Sequence, residues 1–258
     1  MRFITNPVLT LPEGNMGETS KQLQRTVDFT YDWYGDFLDD VKAAGYAFRS
    51  FHDDLTAGDV VLRHDVDLSV DDALTMARLE ADRDVTATYF VLLSSALYNP
   101  LRGETRDAVR EIQSLGHEVA LHFSTHEYWP ADSPPGDDEL QARVAEELAI
   151  LETVTGDDRR LVSFHKPPQW TFARSYDGFT STYEARFFED VQYVADSRQR
   201  WRDDPPAVED FEDTVQVLTH PGLWANEDGA FDERIEQAVT ASCKTAGRTA
   251  GREFLGGW

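Results

Sequence analysis

The sequence predicts an α/β fold with a mainly parallel sheet, and three observations carry that expectation. Strand-like and helix-like segments alternate about six times along the chain, the pattern of successive βα units. The length of 258 residues suits one large domain, since α/β barrels run to this size undivided. Four short apolar runs end on ionisable residues: Val60-Val61-Leu62-Arg63-His64-Asp65-Val66-Asp67, Val119-Ala120-Leu121-His122 leading to His126, Leu161-Val162-Ser163-Phe164-His165, and Thr214 through His220. Bounded apolar runs of this kind read as core strands, whose composition does not itself call for charges at the ends. In barrels of parallel strands the C-terminal strand ends converge on one rim that holds the chemistry. Asp65, Asp67, His122, His126, His165 and His220 are therefore expected to meet there.

Taken in order, residues 1–25 hold Pro7, Pro12, Gly14 and Gly17 with little periodicity and read as an extended or mobile arm, leaving 26–258 as a single domain. Tyr34, Phe37, Leu38 and Val41 recur at helical spacing, which predicts a helix from Tyr31 to Ala44 stopped by Gly45. A short strand over Tyr46 to Phe51 precedes the Val60 strand. Ser69 is placed as an N-cap, with Asp71 and Asp72 in the first turn where the helix dipole favours anions. Val70, Ala73, Leu74, Ala77 and Ala81 form that helix's apolar face. Thr86 to Leu93 is β-branched and aromatic and reads as a strand; Ala108, Val109, Ile112 and Leu115 mark a helix closed by Gly116.

The strand from His117 to Phe123 leads into a long loop with Pro130, Pro134, Pro135 and Gly136. Leu140, Val144, Leu148, Leu151 and Val154 give the clearest amphipathic helix, ended by Gly156. The Leu161 strand runs into Pro167-Pro168, and residues 169–190 read as an irregular aromatic stretch. A strand from Val191 to Ala195 ends at Asp196; the Thr214 strand follows Pro205-Pro206, and Phe231, Ile235 and Val239 define a closing helix.

Composition narrows the function classes. The net charge of −24 makes non-specific binding to nucleic acid or an anionic membrane an unsuitable role. Lysine occurs only at Lys21, Lys42, Lys166 and Lys244, and the acids are scattered, which reads as adaptation to high salt, where self-repulsion is screened. Cys243 is the only cysteine, so the chain forms no internal disulfide and no thiolate zinc cluster. With neither a signal pattern nor a run of about 18 apolar residues, a soluble cytoplasmic protein is the expectation.

Asp65 and Asp67 share parity on an extended segment and can point to one side of the sheet, while His64 has the opposite parity and is expected to pack behind it. His122 and His126 are four apart and can converge at a strand-to-loop transition. One carboxylate with two imidazoles is a sound ligand set for a divalent metal that keeps open positions, zinc first among the first-row ions. Phe123 in place of glutamate excludes the zincin helix motif, and no phosphate-binding glycine loop is present.

The order Asp-x-Asp (Asp65, Asp67), His-x3-His (His122, His126), Phe164-His165-Lys166-Pro167-Pro168 and Leu-x-His (Leu218-Thr219-His220) resembles the polysaccharide deacetylase, or NodB-homology, family of carbohydrate esterases over roughly residues 58–222. That resemblance implies a distorted (β/α)7 barrel and a metal-dependent hydrolase that removes N- or O-acetyl groups from sugars. By position it implies Asp65 as general base, Asp67, His122 and His126 as metal ligands and His220 as general acid. The chain departs from the family's commonest pattern in three places. Val66 separates the aspartates. His165-Lys166 stands where a base-orienting arginine is usual, leaving Arg63 or His165 to hold Asp65. Asp196 with Trp201 only loosely matches the acid-and-aromatic pair that sets the catalytic histidine. Pro167 and Trp170 are candidate substrate contacts, although an aromatic stretch such as Trp170 to Phe188 equally suits core packing. Two other functions share these features: a metal-dependent C–N hydrolase acting on a small amide or imide, and a carbohydrate-binding barrel without turnover.

Overall fold

The computed structural model describes residues 27–256. Helix α1 (Tyr31–Ala43) precedes strands β1 (Ala47–Arg49) and β2 (Asp59–Val66); then follow α2 (Val70–Ala81), β3 (Thr88–Leu92), α3 (Gly103–Ser114), β4 (Glu118–Phe123), α4 (Asp137–Thr155) and β5 (Leu161–Phe164). The chain continues through β6 (Thr180–Ser181), α5 (Ala185–Phe188), β7 (Gln192–Ala195), β8 (Thr214–Thr219) and α6 (Phe231–Phe254). Seven strands in the order β6-β5-β4-β3-β2-β8-β7 form one curled sheet, every pairing parallel, and β1 adds to the start of β2. This is a distorted (β/α)7 barrel, left open between its edge strands β6 and β7. The expected arm over residues 1–25 lies outside the described residues. Among the described residues, no helix is long and apolar enough to cross a membrane.

Local chemistry accounts for the helix boundaries. Thr30 and Ser69 accept hydrogen bonds from Trp33 and Asp72 backbone N–H groups and so cap α1 and α2. Gly156 ends α4 at φ +72°, a conformation that costs a residue with a Cβ about 1–2 kcal/mol. Three elements exceed the sequence reading. The aromatic stretch contains β6 and α5, and α6 runs on through the region where the sequence shows no pattern.

Every residue of β2 is buried, so both of its faces matter. A parallel ladder keeps paired neighbours on the same face, and the register places Val61, Arg63 and Asp65 inside the barrel with Phe90, Ala120, His122, Leu161, Ser163, Gln216 and Leu218. Phe51, Val61, Phe90, Ala120, Leu161 and Phe187 make a small apolar plug there. The opposite face carries Val60, Leu62 and Val66 into the larger core against the helices.

His64 lies on that outer face, as its parity predicts. Its Nε2 is 2.8 Å from Glu80 Oε1, and its Nδ1 is 2.7 Å from Thr219 Oγ1. Glu80 is fully buried and accepts hydrogen bonds from Tyr34 (2.6 Å) and Tyr89 (2.7 Å). Burial alone would push its carboxyl pKa up, but His64, His117 and the Tyr34 hydroxyl outweigh burial and hold it below the usual value. Removing Glu80 strands two tyrosine hydroxyls and a histidine in the core. Glu80→Ala is expected to destabilise the protein by about 3–5 kcal/mol in urea unfolding, and a loss under about 1 kcal/mol would show that the network does not brace the sheet against α2.

Candidate active site

The site lies at the C-terminal ends of β2, β4, β5 and β8. Arg63 and Asp65, two apart on β2, both point into the barrel. Arg63 Nε donates to Asp65 Oδ1 (2.9 Å) and Nη2 to Oδ2 (2.8 Å), a two-pronged pairing that only a guanidinium supplies. The remaining guanidinium donors reach Ser163 Oγ (2.5 Å), Tyr183 Oη (2.9 Å), Thr182 Oγ1 (2.9 Å) and Gln216 Oε1 (3.1 Å). Ser163 donates onward to Asp65 Oδ1 (3.1 Å). Arg63, not His165, therefore holds Asp65. Burial disfavours the Asp65 carboxylate, yet the charges of Arg63 and His122 and the Arg63 hydrogen bonds outweigh it, so the carboxyl sits below its usual pKa.

Beyond Asp65, three side chains converge. Asp67 Oδ1 lies 3.2 Å from His122 Nε2 and 3.2 Å from His165 Nδ1, and those two nitrogens are 3.2 Å apart. Asp67, His122 and His165 form a group that can hold a metal ion. Three features of the group fit a first-row divalent cation. Donors bound at about 2.0–2.2 Å to one tetrahedral ion are separated by roughly 3.3–3.6 Å, close to the spacing here. Asp67 Oδ1 is buried without a hydrogen-bond partner. His122 Nδ1 is fixed on the Ser163 carbonyl (3.1 Å), which leaves Nε2 facing the cluster.

His126 is placed differently from the sequence expectation. Phe123 ends β4, and a single 3-10 turn over Thr125–Glu127 swings His126 outward, exposed, with Nε2 3.0 Å from the Lys166 carbonyl oxygen. His165 occupies the third place instead. It follows Ser163 at the same parity on a strand hydrogen-bonded to β4, and its own N–H donates to Phe123 O (2.9 Å). The sequence carried the signal, since His165 ends an apolar strand like the other histidines. Spacing alone does not choose between it and His126.

At the β7–β8 corner, His220 Nδ1 lies 2.6 Å from Asp196 Oδ1, and the His220 N–H donates to Asp196 Oδ2 (3.0 Å). The indole N–H on Asp196 Oδ2 (2.9 Å) belongs to Trp224, whereas Trp201 packs against Trp224 with ring centroids 5.8 Å apart. Trp224, and not the Trp201 that the sequence suggested, is therefore the tryptophan in contact with Asp196. Burial disfavours the His220 cation, but the buried Asp196 carboxylate outweighs it and pushes the pKa up to about 9. Pro167 and Trp170 are half-buried in the loop beyond His165, and Trp170 packs against the main core. Ser124 and Thr125 are buried turn residues. A cleft of about 610 Å³ opens between α6 and the starts of α2 and α3; neither the aspartates nor the histidines of the rim line it.

The chain matches no family model and no curated protein. Solved structures similar to it include carbohydrate esterase family 4 proteins, the family whose motifs the sequence resembles. A Streptococcus pyogenes deacetylase solved with acetate is also similar (15% identity, covering 81% of this chain and 86% of that one, TM-score 0.44). A Clostridium thermocellum family 4 acetyl xylan esterase solved with cobalt gives 16% identity, 73% and 84% coverage and a TM-score of 0.39. A Bacillus anthracis family 4 pseudoenzyme gives 17% identity, 72% and 60% coverage and a TM-score of 0.41, and across its structures the chain spans 60–63% of the length of that protein.

Asp196 makes a sharp test of the His220 assignment. The imidazolium is stabilised below its pKa of about 9 and lost as pH rises through it, so a reaction needing protonated His220 falls off on the alkaline side. Asp196→Asn removes the stabilising charge and is expected to lower that pKa by at least about one unit, read by NMR titration of the His220 ring. An unchanged titration would sink the role given to Asp196.

Proposed function

We propose that this chain is a metal-dependent hydrolase that removes an acetyl group from an N-acetylated or O-acetylated sugar or glycan precursor, with zinc as the ion. The observation that carries this reading is the convergence on one rim of three metal-donor atoms 3.2 Å apart, a carboxylate pinned by a buried arginine and a histidine backed by a buried carboxylate. The acetylated sugar comes from the motif resemblance of Asp65, Asp67, His122 and His220 to polysaccharide deacetylases.

Asp67, His122 and His165 would hold the ion. When bound, a zinc ion supplies Lewis acidity that polarises an acyl carbonyl and makes water a stronger acid. Asp65 stands next to this group, its Oδ2 3.7 Å from His122 Nε2, and takes the proton from the attacking water. Arg63 keeps that carboxylate ionised and fixes its plane, so the acceptor oxygen is oriented before substrate arrives. His220, protonated at neutral pH and held through Nδ1, presents Nε2 as the acid that protonates the departing amine or alkoxide. The two proton-handling groups are thus biased in opposite directions by their buried partners, the arrangement that hydrolysis of an amide or ester needs.

Purified protein is expected to carry about one zinc per chain, with Asp67→Ala and His165→Ala losing it in elemental analysis. Asp65→Asn is expected to retain the metal while acetate release from N-acetyl or O-acetyl sugars drops by at least about 10²-fold. Full activity in that variant would remove Asp65 as the base. Acetate release from none of the sugars, with zinc bound, would favour the amide or imide hydrolase or the binding barrel.

A further inference from the structure

We propose that His126 is a positioning residue that, through its hydrogen bond to the Lys166 carbonyl, holds the turn presenting His165 to the metal and does not itself bind the ion. The inference rests on the metal reading above and concerns the histidine of the loop after β4, which lies outside the donor cluster.

Geometry excludes His126 from the cluster as it stands. Two atoms bound to one zinc at about 2.0–2.1 Å each cannot be separated by more than roughly 4.2 Å. The group whose donor atoms all lie within 4.8 Å of one another comprises Asp67, His122 and His165, and His126 is outside it. Its Nε2–H is instead committed to Lys166 O at 3.0 Å.

That carbonyl is the place where support is needed. Lys166 has φ +46°, in the left-handed region that side chains with a Cβ disfavour, and the residue before a proline is further restricted. Such a conformation persists only where its surroundings over-determine it. The two residues that follow are Pro167 and Pro168, which have no N–H to pin the loop to the barrel. Upstream, the backbone of His165 is anchored by its N–H on Phe123 O (2.9 Å). Downstream of it, the contact holding the turn from the β4 side is the His126 side chain. His126 itself stands on a fixed support, because the Tyr128 and Trp129 N–H groups both donate to Thr125 O (3.1 and 2.9 Å) and Thr125 is buried. Strand β4 therefore offers His122 to the ion directly, and the turn after β4 uses His126 to place His165, which follows β5.

The test compares His126→Ala, His126→Gln and His165→Ala with the wild type, loading each with Co²⁺ and recording affinity by competition and the visible d–d spectrum. Gln places an amide N–H near the position of the imidazole Nε2 and restores the bond to the carbonyl. The expected result is that His165→Ala abolishes loading, His126→Ala weakens it about tenfold or more, and His126→Gln recovers to within a few-fold with the wild-type spectrum. With metal bound by the wild type, either of two results in the His126 variants overturns the proposal: loss of loading and an altered spectrum in His126→Gln matching His126→Ala, which makes His126 a ligand, or wild-type affinity in His126→Ala, which makes the hydrogen bond idle. If the wild type itself takes up no Co²⁺ or Zn²⁺, the metal reading fails and this inference falls with it. Retained loading in His165→Ala together with loss in His126→Gln would leave the metal reading intact and overturn only the division of roles.

Discussion

The buried pair of Arg63 and Asp65 is the constraint around which the barrel is arranged. A guanidinium with no solvent exposure is tolerated only if its donors are satisfied and its charge is matched. Asp65 supplies the charge, and Ser163 on β5, Gln216 on β8 and Thr182 and Tyr183 after β6 supply the other acceptors. These partners lie on both sides of the open seam, so one side chain ties the edges of an incompletely closed sheet. Gln216 reinforces the tie by donating to the backbone of Thr182 and Phe187. The bond network that orients the carboxylate proposed as the base is therefore also the one that ties the barrel's edges, and replacing Arg63 disturbs both together.

β2 carries a second polar system on its other face. Arg63 and Asp65 point inward, while His64 between them points outward to Glu80 and Thr219. Alternation along one strand thus separates two buried charged clusters by the thickness of a sheet. Thr219 immediately precedes His220, so the outer cluster braces the strand end from which the proposed acid projects. Gly222 continues the same economy of space: a Cβ there would meet Leu68 Cβ at 2.6 Å, keeping the segments after β8 and β2 in close contact just behind His220 and Asp67.

The parts of this architecture legible in the sequence are those set by period and parity. The alternation of apolar runs gave the barrel strands, the capping residues Ser69 and Gly156 marked helix ends, and the odd–even rule placed Arg63 with Asp65 and turned His64 away. What escaped depends on backbone after the strands stop. Whether His126 or His165 reaches Asp67 is decided by a 3-10 turn at Thr125 and a left-handed residue at Lys166, neither of which has a glycine to announce it. The same holds for Trp224 over Trp201. Trp201 is nearer to Asp196 in sequence, but Trp224 sits beyond the turn that follows His220 and returns its indole N–H to Asp196. β6 and α5 were hidden because two-residue and four-residue elements leave no periodic trace.

The two groups proposed to move protons show why burial, usually a penalty for charge, serves this site. In water, an aspartate and a histidine titrate about 2.6 units apart, near 3.9 and 6.5, and at neutral pH the histidine is mostly neutral. Here Arg63 holds Asp65 ionised and Asp196 holds His220 protonated, each against the desolvation that would neutralise it. The interval over which a base and an acid coexist widens accordingly, and neutral pH falls inside it. Each partner is itself immobilised, Arg63 by five side chains and Asp196 by the His220 N–H and the Trp224 indole. Protonation state and orientation are thereby set by the same contacts. A protein with a net charge of −24 meets at this rim a local balance of opposite charges that its composition alone gives no reason to expect.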